Sequence, residues 1–178
     1  GLDTALHAYS TEGIRRGIAA GVGNIEHGAL MTREQTEQMA EKGICFNPTM
    51  SGLRAAFSRG PNRRYWDELN RRIYSVQEQA MRYAKEAGVL IGAGTDSLGY
   101  LRDELQLIME TLEETPVQAL AHATSINARI ARRPDLGVLE PGRRADITAF
   151  RGNLSESLDP LKEPALQVWK NGIACKGN

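Results

Sequence analysis

Val22-Gly23-Asn24-Ile25-Glu26-His27-Gly28 reads as a short strand that ends on a histidine. Helical patterns flank it. Before it, Glu12 to Ala20 carries Ile14 and Ile18 on one face, with Ser10 or Thr11 as the cap and Gly21 as the stop. After it, Thr32 caps Arg33 to Glu41, Glu34 lies near the positive end, and Gly43 closes the helix. The alternation continues outward. Leu2 to Ala8 is an apolar strand with His7 near its end, Ile44 to Pro48 is a third strand, and Val89 to Gly94 a fourth. Strand–helix units in series predict an α/β fold with a parallel sheet and right-handed crossovers. An open doubly wound sheet and part of an eight-stranded barrel both satisfy that pattern. A closed barrel takes roughly 250 residues, more than the 178 of this chain. No Gly-x-Gly-x-x-Gly follows the first strand, which argues against dinucleotide binding.

The rest of the chain divides into two regimes. Met50 to Asn70 reads as a long polar connection broken by Gly52, Gly60, Pro61 and Asn62, of the kind that forms a lid or binding loop. Leu69 to Glu86 predicts a long helix with Ile73, Val76, Ala80 and Ala84 (or Tyr83) on one face, closed by Gly88. Leu101 to Leu112 is a further helix. Thr115-Pro116 opens another, and a last short helix covers about 125–131. From Leu136 to Gly142 the chain is turn-rich. Ala145 to Phe150 and Leu166 to Lys170 then read as strands, and Asn171-Gly172 turns a hairpin into Ile173 to Lys176. Residues 1–135 thus form the strand–helix unit and residues 136–178 a small β segment.

Composition excludes several classes. Lys and Arg number 22 against 22 Asp and Glu, so no net charge draws the chain to nucleic acid or an anionic membrane surface. At 41% hydrophobic and 25% charged it is globular in composition, and no apolar run approaches the ~20 residues of a bilayer span. Cys45 and Cys175, far apart, make neither a disulfide framework nor a zinc knuckle; that usage fits a cytoplasmic protein. Cys45 reads as a buried small hydrophobe. The chain starts without Met or a signal sequence and enters a strand almost at once, as a piece of a longer polypeptide would.

The chemistry lies at strand ends. His7 and His27 close the first two strands, and Thr95-Asp96-Ser97 follows the fourth. In a parallel sheet those ends share one rim, where active sites sit. Two imidazoles and a carboxylate suit a divalent metal, zinc above all, and the carboxylate can take a proton from water. A single histidine or aspartate at a strand end is ordinarily structural; three at matching termini point to a site. His122, on a helix, reads as a packing or surface residue. Glu26, pointing away from His27, reads as a structural ion-pair partner. Arg54, Arg59, Arg63 and Arg64 read as a solvated face from which one could meet a substrate carboxylate. The basic stretch Asn62 to Arg72, with Tyr65 and Trp66, carries no nucleic-acid module.

His7-Ala8-Tyr9-Ser10, Asn24-Ile25-Glu26-His27-Gly28 and Ile91-Gly92-Ala93-Gly94-Thr95-Asp96-Ser97 resemble strands five, six and eight of the amidohydrolase superfamily, in its imidazolonepropionase-like and prolidase-like branch. The likeness continues through Glu104-Leu105-Gln106, Thr115 to Leu120, Ala123 to Ala128 and Leu136 to Ile147, the last resembling the return from the barrel to a small β-sandwich. Val168 to Gly172 resembles the closing hairpin. The resemblance implies half of a (β/α)8 barrel over residues 1–135, followed by a segment of a composite sandwich over 136–178. It also implies hydrolysis of C–N bonds in amides, dipeptides or cyclic amides, with one or two divalent metal ions. His7 and His27 would be metal ligands, Asp96 a metal ligand that also shuttles the proton, and Tyr9 a residue near the scissile group.

The family's His-x-His pair and bridging lysine have no counterpart here. The resemblance therefore implies the C-terminal half of such an enzyme. A half barrel is expected to leave the inward faces of Leu2–Leu6, Val22–Ile25, Ile44–Phe46 and Val89–Ile91 uncovered, together with two sheet edges. Each open apolar side chain forgoes ~1.5–3 kcal/mol, so the chain is expected to pair with itself or with a missing N-terminal half. The alternative reading is a catalytically incomplete fragment acting only as a structural or assembly partner.

Overall fold

The computed structural model describes residues 3–58 and 63–175, with side chains described outside 57–70. Three short strands, β1 (Ala5–Ala8), β2 (Asn24–His27) and β3 (Cys45–Asn47), pair in parallel in the order β1-β2-β3. Helices α1 (Thr11–Ala20) and α2 (Arg33–Lys42) make the crossovers. Ser10 caps α1 through Gly13 N, and Thr32 with Gln35 forms a reciprocal capping box on α2. Gly21 and Gly43 end the two helices in left-handed conformations, at φ 70° and 66°.

The expected fourth strand is reduced to a single parallel bridge between Phe46 and Ile91. Phe46 N donates to Leu90 O and Gly92 N to Phe46 O, so the segment lies against β3. On its other side the Asn127 side chain takes the place of a neighbouring strand. Its Oδ1 accepts from Ala93 N at 3.2 Å and its Nδ2 donates to Ala93 O at 2.8 Å.

The long connection expected over 50–70 is instead helical. Helix α3 (Met50–Ser58) precedes the long α4 (Arg63–Ala87). Arg59, Gly60, Pro61 and Asn62 lie outside the described residues, as do the side chains of Arg63, Arg64, Tyr65 and Trp66. Gly52 is tolerated inside α3 because a Cβ there would collide with Thr95 O. The N-terminus of α3 is held from a distance: buried Glu104, on α5 (Leu101–Leu112), accepts from Met50 N at 2.9 Å and Ser51 N at 2.6 Å. The buried face of α4 is Gln77, Ala80, Met81 and Ala84. Val76, expected inside, is 43% exposed because polar Gln77 takes the inward slot.

Thr115 caps α6 (Pro116–Ala121), which runs through a π-helical turn (His122–Ile126) into α7 (Asn127–Ile130). His122 is buried, bonded to Ile91 O at 2.6 Å and to the Glu114 carboxylate at 2.8 Å, in keeping with a packing role. Beyond it, β4 (Ile147–Ala149), β5 (Gln167–Lys170) and β6 (Ile173–Cys175) form an antiparallel sheet.

The core lies between the parallel sheet and its helices: Ile14, Ile18, Ile25, Phe46, Met81, Leu105 and Ile108 are among its members. Alternation places Ile25 and Phe46 on that side. The other face carries Ala5, His7, Asn24, Glu26, Cys45 and Asn47. The uncovered face is thus mainly small and polar rather than the apolar surface expected. Glu26 accepts from the amides of Asn24 and of Asn47, where an ion pair was expected. Cys45 is only half-buried, and burial still pushes its thiol pKa up. Among the described residues no helix is long and apolar enough to cross a membrane.

Candidate active site

The sheet delivers His7 and His27 to one rim, one pairing register apart, where the rings meet. His27 Nε2 lies 2.8 Å from His7 Nδ1, and the ring centroids are 4.3 Å apart. Tyr9 stacks on His27 at 4.4 Å, with the planes 8° apart, and meets His7 edge-on at 5.0 Å. His27 is buried and His7 exposed, so the pair sits at the mouth. The His27 pKa is lowered, first by burial and then by the neighbouring His7; the Asp96 charge works against both. A neutral imidazole is the form that binds a metal. Tyr9 has its pKa raised by burial and by Asp96, and keeps its phenolic proton.

Three of the four strand-end segments share a backbone signature. His27 (φ 73°), Thr49 (φ 50°) and Asp96 (φ 55°) all occupy the left-handed region. In β2 this turn swings His27 out of strict alternation. Gly28 follows at φ 53°, where a Cβ would strike the Phe46 ring. Asp96 stands on the same rim, its Oδ1 accepting from Ser97 N at 2.6 Å. With Tyr9, Gly52, Leu53 and Leu98 it lines a cavity of ≈ 60 Å³. The structure brings His7, His27 and Tyr9 together, with Asp96 within electrostatic reach. Among the described residues no group of three His, Cys, Asp or Glu side chains is close enough to hold a metal ion.

Two residues escaped the sequence reading. Thr49, after β3, places its Oγ1 2.5 Å from His27 Nδ1 and donates to Pro48 O at 2.8 Å. Gln77, fully buried on α4, donates its amide to His27 O at 3.1 Å and Pro48 O at 2.7 Å. A polar residue in an apolar helix slot was the available signal for Gln77; Thr49 gave none. Arg54, expected on a solvated face of the loop, pairs with Glu78 at 2.8 Å and stacks on Tyr74.

Both ring nitrogens of His27 are in hydrogen-bond contact, Nδ1 with Thr49 Oγ1 at 2.5 Å and Nε2 with His7 Nδ1 at 2.8 Å. Two imidazoles and a carboxylate on one rim are donor types that zinc takes, but among the described residues they do not converge on a metal position.

Comparison with known proteins bears on the family of the chain. The Amidohydrolase family model matches residues 1–175. Among solved structures, A. niger ochratoxinase is 30% identical with a TM-score of 0.86, covering 99% of this chain and 42% of its own. A Xaa-Pro dipeptidase crystallised with methionine in its active site is 32% identical with a TM-score of 0.83, covering 99% and 45%. An uncharacterised protein of Mycobacterium tuberculosis is 26% identical over 181 residues, 96% of this chain and 47% of that protein. The chain spans about half the length of the curated relatives it matches. With a family match over nearly all its length and α/β units that superpose on those of such enzymes, this chain belongs to the amidohydrolase family.

Proposed function

We propose that this chain is the C-terminal half of a metal-dependent hydrolase of C–N bonds, acting on small amides, dipeptides or cyclic amides. The observation that carries the reading is the His7–His27 pair, with facing ring nitrogens at the rim of a parallel sheet. His7 and His27 would hold the cation, with Asp96 as the third ligand. A bound divalent metal, most simply zinc, supplies Lewis acidity toward the amide carbonyl and acidifies water. Asp96 takes the proton of the attacking water at its carboxylate and returns it to the leaving amine. Tyr9, still protonated, donates a hydrogen bond at the carbonyl. The ring stack with His27 orients its phenol.

The reading has this chain as strands five to eight of a barrel and one part of a composite sandwich. The remaining strands come from a pairing N-terminal segment. Two features support that arrangement: relatives about twice as long, and a small, polar uncovered sheet face suited to lining a barrel rather than a dry core. Free Cys45 and Cys175 suit the cytoplasm.

The test uses a dipeptide and N-acyl amino acid panel, with and without a co-expressed N-terminal half, and metal analysis alongside. Hydrolysis and bound zinc or manganese are expected together in the completed protein. Both fall away in His27→Ala, and hydrolysis falls by 10²-fold or more in Asp96→Ala. A completed, folded protein that retains no divalent metal overturns the proposal and leaves the assembly-partner reading in its place.

A further inference from the structure

We propose that the uncovered face of the parallel sheet, below the rim, is a socket for one cationic side chain, an inward-pointing lysine or arginine of the pairing N-terminal segment. The inference rests on the proposed function for that segment, though not for the metal. Alternation turns Asn24 and Glu26 of β2 to this face, and Asn47 of β3 is the register partner of Glu26. A carboxylate accepts, so both amides turn their nitrogens to it. Asn24 Nδ2 donates to Glu26 Oε1, and Asn47 Nδ2 donates to the same oxygen at 3.2 Å. That settles where the amide oxygens point. Asn24 Oδ1 and Asn47 Oδ1 are buried without a hydrogen-bond partner among the described residues, and Asn24 as a whole is only 8% exposed. Gly92 makes room for the crowding, since a Cβ there would strike Asn47 Oδ1 and Asn127 Oδ1 together. Asn24, Glu26, Asn47 and Asn127 line one cavity of ≈ 610 Å³.

The set is lopsided. One carboxylate and two orphaned oxygens border the cavity, and among the described residues Glu26 is met by amides rather than by a cation. Arg132, on the same cavity, is engaged by Asp3 at 2.7 Å. Buried acceptors without donors are costly, and a buried charge without a partner more so. A hydroxyl or a backbone N–H would satisfy one oxygen. An ammonium or guanidinium brings several N–H donors and the opposite charge at once. A second copy of this chain is a poor occupant, because pairing through this face would set Glu26 against Glu26. Length supplies the better one: this chain covers only 42% of A. niger ochratoxinase and 45% of the Xaa-Pro dipeptidase.

The test is a double-mutant cycle in the co-expressed, co-purified complex of this chain with its N-terminal half, in EDTA so that metal plays no part. The dissociation constant is read by dilution at low salt. Glu26→Gln, which keeps size and shape, is expected to weaken the complex about 30-fold or more. Each lysine and arginine of the N-terminal half is replaced by methionine in turn. One position is expected to show a comparable loss, and in the Glu26→Gln background that replacement adds less than about 3-fold. Arg129 lines the same cavity and serves as the control, so Arg129→Gln is expected to leave the dissociation constant unchanged. A complex in which the losses are additive at every N-terminal lysine and arginine overturns the socket, as does one in which Glu26→Gln couples to Arg129→Gln instead. Either result leaves the proposed function standing. An N-terminal half that does not bind this chain at all sinks the half-barrel reading and the socket with it.

Discussion

The rim of the parallel sheet and its outer helical layer are built by opposite rules. In α1 and α2 each local signal agrees with the structure: Ser10 and Thr32 cap, Gly21 and Gly43 stop in left-handed conformations, and Ile14, Ile18 and Met39 face inward. At the rim the local rules are broken together. His27, Thr49 and Asp96 are non-glycine residues at positive φ, while His27, Thr49 and Gln77 are buried polar side chains. The contrast teaches that the outer layer supplies stability and the rim spends part of it on geometry.

The largest effect tests the boundary between the two. Phe46 is fully buried, packing into the core from the sheet and lying against Gly28 beneath the site. Phe46→Ala is expected to destabilise by about 3–5 kcal/mol, measured by urea denaturation. A loss below ~1 kcal/mol would mean that the rim does not rest on that core.

Glu104 comes second. It ties α5 to the first turn of α3, beside the rim, through two backbone N–H groups. Bonds of that kind to a charged group are worth ~1.5–3 kcal/mol each, so Glu104→Ala is expected to cost about 3 kcal/mol. Its pH dependence has a definite sign. Burial raises the Glu104 pKa above its ordinary 4.5, outweighing the N–H bonds and Arg54, which lower it. The native state then binds the proton more tightly than the unfolded chain. This group's contribution therefore falls as pH rises from about 4.5 through the raised native value. Glu104→Gln removes that slope, read as the difference between the two proteins' urea midpoints across the window. An identical pH profile in both would show that the carboxyl is not desolvated.

How much was legible follows the same division. The strand ends at His7 and His27 could be read because an apolar run stopping on a histidine is a local pattern. The element order of residues 1–47 followed from caps and glycines. The fourth strand was over-read: Val89 to Gly94 has strand composition, but its outer hydrogen bonds go to the Asn127 side chain, 34 positions from Ala93. Helix α3 was missed because Gly52 reads as a breaker, whereas it is small to admit Thr95 O. Gln77 displaced the expected Val76 because a hydrogen-bonding demand from two carbonyls overrode the apolar period. Each failure lies where a distant backbone group, invisible in sequence, decides the local choice.

Thr32 tests the outer layer on its own terms. Its hydroxyl accepts from Gln35 N at 3.3 Å, and the Gln35 side chain accepts from Thr32 N at 3.1 Å. Gln35 also donates to Thr11 O at 2.8 Å, which ties the cap of α2 to the start of α1. Thr32→Ala is expected to cost about 1 kcal/mol, with Zn²⁺ affinity unchanged, as judged by denaturation and titration of the same sample.

The smallest effect is the most pointed, because its sign reverses. Asp96 holds φ 55° and is exposed, and its side chain bonds Ser97 N. Asp96→Gly loses that bond but relaxes the backbone, and left-handed strain outside glycine is worth ~1 kcal/mol or more. A net gain of about 0.5 kcal/mol is expected, together with loss of amide hydrolysis in the completed protein. A substitution that stabilises the fold while ending the chemistry is what a rim strained for function requires. A clear loss of stability in Asp96→Gly would mean instead that the carboxylate is a turn-former first, and that the contrast between rim and outer layer does not extend to the end of the 89–94 segment.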